Sequence, residues 1–255
     1  MDPLHILLLV GAGILGGIIS SIAGGAALFI FPAVLATGLS PIVATAVCTT
    51  ALTPGLVLAG LYDRAQLPPL DRWFLGMVVV SAAGGLIGAA LLLLTPERMF
   101  TALVPLLLGF ATLLFACAGR ISSWLRARAA AHGGERHPSH SVVALLPVSI
   151  YGGYFGAGLG VLMLGVLAIG SGGDYRSANA TKNLVLSFNS LTAAIIFAVQ
   201  GVIAWPATLA MIAGTLVGAL MGAKLVQVMP TQAARGVVVG VGVLLTVAFA
   251  WRYWF

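Results

Sequence analysis

Charged residues are scarce in this chain. Its 255 residues include only 12 Lys and Arg and 6 Asp and Glu, which makes 7% charged against 60% hydrophobic. Soluble domains carry about 25% charged residues, so this composition excludes a water-exposed surface of ordinary size. The mean hydropathy of +1.12 points in the same direction. The chain is therefore predicted to lie in a lipid bilayer.

The alternation of apolar and polar residues that a membrane β-barrel strand needs over about ten positions is also missing. The apolar runs are instead continuous and about 20 residues long, the length that a helix needs to cross a bilayer. They cover residues 4–37, 42–62, 73–94 and 98–119, and then 142–170, 178–200, 204–228 and 233–254. The sequence thus predicts an all-α polytopic membrane protein with about eight transmembrane helices.

Cysteine is scarce, and a basic leader and a catalytic constellation are lacking. Cys48 and Cys117 both fall inside apolar runs and are typical of small buried hydrophobes, so neither a disulfide nor a metal site is expected. Residues Met1 to His5 lack the basic region of a signal peptide, and we expect the first run to be retained as a span. No buried His–Glu or Ser–His pair is evident in the sequence. We therefore predict no enzyme and no cofactor.

The two halves of the chain resemble each other. A shift of 134 positions brings glycines and prolines into register, among them Gly24 with Gly158, Gly38 with Gly172, and Pro96 with Pro230. Internal duplication is common among secondary transporters. We therefore predict a first transmembrane repeat at 1–119 and a second at 142–255, joined by a basic cytoplasmic linker at 120–141. The basic residues at the ends of the apolar runs follow the bias of cytoplasmic loops and do not indicate a nucleic-acid partner.

The first apolar run is longer than one span requires and contains the break Ala23-Gly24-Gly25-Ala26. One discontinuous span would give four spans in each half, with both termini and the linker on one side. A span followed by a re-entrant half-helix would give an odd number of passes and inverted repeats. We prefer four spans in each half, with a broken glycine-rich first helix in each repeat.

The breaks are the first candidates for a binding site. They fall at Gly24 and Gly25 in one repeat, and at Gly158 within the glycine-rich stretch 152–160 in the other. A helix broken at membrane depth exposes N–H groups that, together with the helix dipole, favour an anion. The alternative is close packing of helices through small residues. To packing we assign outright Gly84, Gly88, Gly214 and Gly218.

A polar stripe follows each break. One helix face carries Thr45, Thr49 and Thr53 at every fourth residue. Their counterparts under the shift, again at every fourth residue, are Asn179, Asn183 and Ser187. We expect the two stripes to lie at equivalent depths, either binding a small anion or hydrogen bonding between helices. Lys182 favours the first, because a charge near mid-membrane costs about 2.5–3.5 kcal/mol and usually marks a pathway. Snorkelling to the membrane interface is the alternative for this lysine.

Coupling to a proton or a sodium ion would need a titratable or oxygen-rich group nearby. Asp174 is the acidic residue nearest to the stripe of Asn179 and Asn183, and we take it as the candidate. A loop carboxylate paired with Arg176 is the simpler interpretation of the same residue.

The segments that carry these features, GGIISSIAGGAALFIFPAVLATGLSPIVATA (16–46) and GGYFGAGLGVLMLGVLAIGSGGDYRSANATKN (152–183), resemble the TauE/SafE family of sulfite exporters. The resemblance extends over essentially the whole chain. It implies passage of sulfite or small organosulfonates across the cytoplasmic membrane. The first half departs from the usual glycine triplet, because Ala26 follows Gly24 and Gly25.

We therefore predict a secondary transporter of a small sulfur-containing anion, in the cytoplasmic membrane as a multi-pass protein. Its partners would be the lipid bilayer, the anion and a coupling proton or sodium ion. An anion channel of the same architecture is the first alternative, and an intramembrane enzyme is the second. The substrate, the direction of transport and the oligomeric state are left open by the sequence.

Overall fold

The computed structural model describes residues 2–23, 26–62, 67–69, 71–131, 138–170, 175–225 and 231–254. The first half contains α1 (Pro3–Ala23), α2 (Ala26–Ala36), α3 (Pro41–Tyr62), α4 (Arg72–Leu94) and α5 (Glu97–Ala131). The second half contains α6 (Pro138–Tyr154), α7 (Leu159–Gly170), α8 (Tyr175–Val199), α9 (Trp205–Leu225) and α10 (Thr231–Trp254). No strand occurs in these ranges, and α1, α3, α4, α5 and α8 are long and apolar enough to cross a membrane. The all-α polytopic class is confirmed.

Local sequence explains where several helices begin. The Asp71 carboxylate caps α4, because its Oδ1 accepts hydrogen bonds from the backbone N–H groups of Trp73 (3.0 Å) and Phe74 (2.9 Å). Pro41 occupies the first position of α3, where the missing N–H has no intrahelical partner to lose. The long first apolar run is two helices, α1 and α2, on either side of Gly24 and Gly25.

The helix order repeats in the two halves. Under the shift of 134 positions, the first residues of α3 and α5, Pro41 and Glu97, land on Tyr175 and Thr231, which begin α8 and α10. Each half also opens with a longer helix followed by a short one, of 11 residues in α2 and 12 in α7. The boundaries of the repeats and of the linker stay predictions, and α5 continues beyond residue 119 to Ala131.

Equivalent helices of the two halves run in opposite directions. A Cβ added to Gly109 of α5 would lie 3.3 Å from Thr246 of α10, and one added to Gly242 would meet Thr112. Residue numbers thus rise along α5 while they fall along α10. The repeats are therefore inverted, the arrangement that the re-entrant alternative implied.

The preferred four spans in each half, with termini and linker on one side, are therefore wrong. Helices α2 and α7 are about 16–18 Å long at 1.5 Å per residue, too short to cross about 30 Å of hydrocarbon. Each nevertheless returns the chain to the side from which the preceding helix started. Each half thus makes an odd number of passes. The linker lies on the side where α4 begins, which we call the basic side, and both termini lie on the opposite, terminal side.

Glycines pair helices from opposite halves. A Cβ added to Gly13 of α1 would lie 3.0 Å from the Cα of Gly214 in α9, and one added to Gly17 would lie 3.0 Å from the backbone of Gly218. Helices α4 and α6 meet in the same way, since a Cβ on Gly88 would lie 2.8 Å from the Cα of Gly153. A Cβ on Gly84 would likewise lie 2.9 Å from the Ser149 backbone, so the assignment of Gly84, Gly88, Gly214 and Gly218 to packing is confirmed.

Two hydrogen bonds connect a third helix to each of the pairs α1–α9 and α4–α6. The shift of 134 positions makes one of these bonds correspond to the other. Ser81 Oγ of α4 donates to the Val185 carbonyl of α8 at 3.0 Å, and Thr215 Oγ1 of α9 donates to the Ala51 carbonyl of α3 at 3.1 Å. Shifted by 134, Ser81 becomes Thr215 and Ala51 becomes Val185. The helices thus form a first three-helix group (α1, α3, α9) and a second three-helix group (α4, α6, α8), each with members from both repeats.

Inversion fixes the orientation in the membrane through the distribution of basic residues. Among the described residues, the helices carry Arg98 and Arg252 towards the terminal side, whereas towards the basic side they carry Arg72, Arg120, Arg126, Arg128, Arg176, Lys182, Lys224 and Arg235. Basic segments stay in the cytoplasm. We therefore expect both termini outside the cytoplasm. Alkaline phosphatase fused after Phe255 should be active, and green fluorescent protein inserted at 132–137 should fluoresce; the reverse pattern would contradict this orientation.

Candidate functional site

Helices α3 and α8 meet between the two three-helix groups. A Cβ added to Gly60 of α3 would lie 3.2 Å from the Cα of Leu184 in α8. Thr53 and Thr49 precede Gly60 by about two and three helical turns, so they share its face. Thr45 precedes Thr49 by one further turn of the same helix. We call this contact the α3–α8 seam, and the threonine stripe faces it.

The threonines of the seam are closed off from solvent. Thr45 is 1% exposed and Thr49 is 8% exposed. The Thr45 hydroxyl donates to the Pro41 carbonyl at 3.0 Å, and the Thr53 hydroxyl donates to the Thr49 carbonyl at 2.8 Å. Both hydroxyls thus bond within their own helix, as threonines commonly do when nothing else competes for them.

The polar residues of α8 differ from the threonines in exposure. Asn179, Lys182 and Asn183 are all half-buried, and Lys182 Nζ donates to Asn179 Oδ1 at 2.9 Å. They lie in the first three turns of α8, at the positive end of the helix dipole. An ammonium group and a helix N-terminus together make this end of the seam attractive to an anion.

The structure keeps the two polar stripes apart. One stripe contains Asn179, Lys182 and Asn183, and the other contains Thr45 and Thr49. Gly60 is level with Leu184, and Thr49 is 11 residues from Gly60, which corresponds to about 16 Å along the helix axis. The expected equivalent depths are wrong because inversion places matching residues in opposite halves of the membrane. The stripes are thus two separate polar positions along the α3–α8 seam, which we call its two stations.

The break between α6 and α7 lies at membrane depth. Gly156 and Gly158 have backbone φ angles of +74° and +79°, which residues other than glycine rarely adopt. A Cβ on Gly158 would lie 3.3 Å from the Cα of Ala111, near the middle of the apolar stretch Glu97–Arg120 of α5. The Tyr151 hydroxyl donates to the Ala157 carbonyl at 2.6 Å and so holds the turn. The other predicted site residues, Gly24, Gly25 and Asp174, lie outside the described residues.

Four buried aromatic side chains close the terminal side. Phe31 of α2 meets Phe155 edge-on with ring centroids 5.5 Å apart, and Phe155 also packs against Phe100 at 6.3 Å. Phe249, near the end of α10, lies 6.5 Å from Phe31. Three of these positions correspond under the 134 shift to Gly165, Ala234 and Ser21. The fourth position, Phe249, corresponds to Phe115, so the cluster of four rings as a whole lies on one side. The half-buried polar residues of α8 lie towards the other side.

Asn189 is a buried polar residue that the sequence analysis missed. It is 1% exposed, and its Nδ2 donates to the carbonyls of Ser81 in α4 and Ser149 in α6. The signal that could have found it is asymmetry, because the 134 shift pairs Asn189 with Gly55. A lone amide in an apolar helix needs buried partners.

The family model for the sulfite exporter TauE/SafE family matches residues 9–249. The chain belongs to this family. It is 26% identical over 261 residues to a "Probable membrane transporter protein" of Haemophilus influenzae, covering 100% of this chain and 98% of the relative. It is 28% identical to "Probable membrane transporter protein ORF9" of Sinorhizobium sp, covering 92% of this chain and 88% of that protein.

A third relative is "Probable membrane transporter protein YfcA" of Escherichia coli K12, which is 25% identical with 96% of this chain and 90% of that protein covered. No solved structure matches the chain. Membership of the TauE/SafE family makes the protein a membrane transporter and not an enzyme. Its long apolar helices agree with an integral multi-pass membrane protein.

Proposed function

We propose that this transporter exports a small sulfur-containing anion, such as sulfite or an organosulfonate, across the cytoplasmic membrane. The observation that carries the proposal is the cluster of Asn179, Lys182 and Asn183 at the positive end of α8, half-buried and on the basic side. An ammonium group with two amides matches a small oxyanion, which needs charge compensation and several hydrogen-bond donors.

In this proposal the anion enters from the cytoplasm at Asn179, Lys182 and Asn183. Thr45 and Thr49 form the second station, where the Thr45 hydroxyl turns from the Pro41 carbonyl of its own helix to the anion when the terminal side opens. The N–H groups at the breaks, near Gly158 and at Gly24 and Gly25, add backbone donors. Asp174 stays the candidate for coupling to a proton or a sodium ion.

Alternating access by a carrier accounts for the burial better than a channel does. Thr45 is 1% exposed and the four phenylalanines pack against one another on the terminal side, so this conformation is closed there. Inverted repeats supply the second conformation, because exchanging the conformations of the two halves opens the opposite side.

The purified protein in liposomes provides the test. We expect uptake of radiolabelled sulfite that saturates with concentration and shows counterflow, with neither property in protein-free liposomes. Replacing Asn179, Lys182 and Asn183 together by alanine should lower the uptake at least tenfold. Flux that rises linearly with sulfite and lacks counterflow would indicate a channel instead. Unchanged saturable uptake by the triple variant would contradict the site but not the substrate.

A further inference from the structure

Side-chain hydrogen bonds are distributed unevenly between the two kinds of helix contact. Within the three-helix groups some of them cross from helix to helix: Ser81 Oγ donates to the Val185 carbonyl of α8. The Thr215 hydroxyl lies 3.1 Å from the Ala51 carbonyl of α3 and 3.0 Å from the Ile212 carbonyl of its own helix. At the seam, the hydroxyls of Thr45, Thr53 and Ser187 donate to carbonyls of their own helices. Links between helices resist their separation, whereas bonds within a helix do not. Side-chain bonds between helices therefore tie α4 to α8 within the second group, whereas the hydroxyls of Thr45, Thr53 and Ser187 add no such tie at the seam.

Asn189 makes the strongest of these links. Its Nδ2 lies 2.8 Å from the Ser81 carbonyl of α4 and 3.0 Å from the Ser149 carbonyl of α6. One amide of α8 thus spends both of its donors on two neighbouring helices. One turn further along α8, the Thr192 hydroxyl donates to the Ala82 carbonyl of α4 at 2.9 Å. These bonds lie inside apolar helices, where water does not compete for the donors.

The other end of the same amide fixes its orientation. Asn189 Oδ1 is buried without a hydrogen-bond partner among the described residues. A Cβ added to Gly152 of α6 would lie 2.7 Å from this oxygen. Because Gly152 has no side chain, α6 can approach the Asn189 amide this closely. A buried acceptor without a donor is tolerated only where the remaining geometry determines the side chain. Here the Ser81 and Ser149 carbonyls determine the orientation of the amide. If the amide were reversed, its oxygen would face both carbonyl oxygens and repel them.

The first three-helix group lacks such a residue. Gly55 takes the place of Asn189, and a Cβ added to it would meet nothing within 4 Å. In that group α1 and α9 meet through glycine contacts, and the Thr215 hydroxyl of α9 reaches the Ala51 carbonyl of α3. The two amide links of Asn189 thus have no counterpart at Gly55, although the repeats supply the same helix order.

We propose that Asn189 is a positioning residue that holds α4, α6 and α8 together as one body, which moves at the α3–α8 seam against α1, α3 and α9 during transport. The moving bodies are then the two intertwined groups and not the two sequence repeats. The broken helix α6–α7 travels with α4 and α8. The inference rests on transport by alternating access but not on the identity of the anion.

Pairs of cysteines test the proposal in a background with Cys48→Ala and Cys117→Ala. The pair Ser81→Cys with Ser149→Cys lies within the second group, where the two Oγ atoms are 3.5 Å apart. The pair Gly60→Cys with Leu184→Cys spans the seam, where a Cβ on Gly60 would lie 3.4 Å from the Leu184 Cβ. That separation lies close to the Cβ···Cβ range of disulfides, about 3.5–4.5 Å.

The readout does not require a known substrate. A reporter, Thr49→Cys, is labelled with a membrane-impermeant maleimide from the terminal side after oxidation of each pair with copper phenanthroline. The seam disulfide should slow the labelling at least tenfold, and dithiothreitol should restore it. The disulfide within the group should change it less than twofold. Equal inhibition by both disulfides, inhibition by neither, or no labelling of the parent would overturn the proposal.

A second measurement isolates Asn189 itself. Asn189→Ala should slow formation of the Ser81→Cys/Ser149→Cys disulfide at least fivefold, because α4 and α6 lose their common anchor. Formation of the seam disulfide should stay within twofold. Ser190→Ala, a neighbouring buried polar residue of the same helix, is the matched control and should leave both rates unchanged. A general loss of stability would alter both disulfides alike, and that result would contradict a positioning role.

Discussion

Gly88→Val should abolish recovery of folded protein. A side chain at this position of α4 would run into the α6 backbone, since the Cβ alone would lie 2.7 Å from the Tyr154 nitrogen and 2.8 Å from the Gly153 Cα. Backbone atoms cannot rotate away as a side chain can, so α4 and α6 would have to separate. Overpacking costs about 1–3 kcal/mol where neighbours can adjust. It should cost more at a crossing of two backbones, where van der Waals packing is the main attraction in lipid.

Gly240→Val is the matched control for this prediction. Gly240 is also inside an apolar helix, but it is exposed and a Cβ there would meet nothing within 4 Å. Both changes introduce the same side chain with the same helix propensity. Size-exclusion chromatography of the tagged proteins in detergent should give a single sharp peak for Gly240→Val and none for Gly88→Val. Equal recovery of the two would mean that the α4–α6 crossing is not tight.

Composition and hydropathy were sufficient to predict the class of this fold. A chain with 7% charged residues has no other way to satisfy its backbone in lipid than continuous helices or a closed barrel, and the runs lack the alternation of a barrel. Glycines located the breaks, because α1 ends just before Gly24 and α7 begins just after Gly158. The register of 134 positions reappears in the helix starts of α8 and α10.

The direction of the second repeat could not be predicted in the same way. Hydropathy measures how apolar a run is and not how many times it crosses the membrane, so segment 4–37 gave one span where α1 and α2 form two helices. That one added turn makes the number of passes in the first repeat odd, so the second repeat starts from the opposite side and all of its helices are reversed. The supposed common depth of Thr45 and Asn179 failed for this reason alone.

Asn189 shows a different limit. The search for matching residues in the two repeats favoured symmetric pairs such as Thr49 and Asn183, whereas Asn189 faces Gly55 under the shift. Its importance arises from two carbonyls on α4 and α6, and a sequence carries no signal for backbone acceptors. Only the packing of glycines brings those carbonyls close enough. Asymmetric polar residues in duplicated membrane proteins therefore merit as much attention as the shared ones.

Lys182→Ala should remove the stabilisation of the protein by sulfite in detergent. The ammonium group is half-buried near the N-terminus of α8, where its charge and the helix dipole add at one place. Two opposite unit charges at 4 Å interact by about 4 kcal/mol at an effective dielectric constant of 20, so losing even a third of this weakens binding about tenfold. A ligand that binds only the folded state raises the melting temperature in proportion to the logarithm of its concentration. The variant should need at least ten times more sulfite for the same shift.

Two further variants separate charge from packing. Lys182→Arg keeps the positive charge and should retain most of the shift, although a guanidinium cannot reproduce the bond to Asn179 at 2.9 Å. Arg98→Ala removes an exposed cation on the terminal side and should leave the shift unchanged, because the charge is far from the seam. If Arg98→Ala and Lys182→Ala lowered the shift equally, sulfite would be responding to net charge and not to a site. Loss with Lys182→Ala alone would locate the anion at the end of the α3–α8 seam that lies on the basic side.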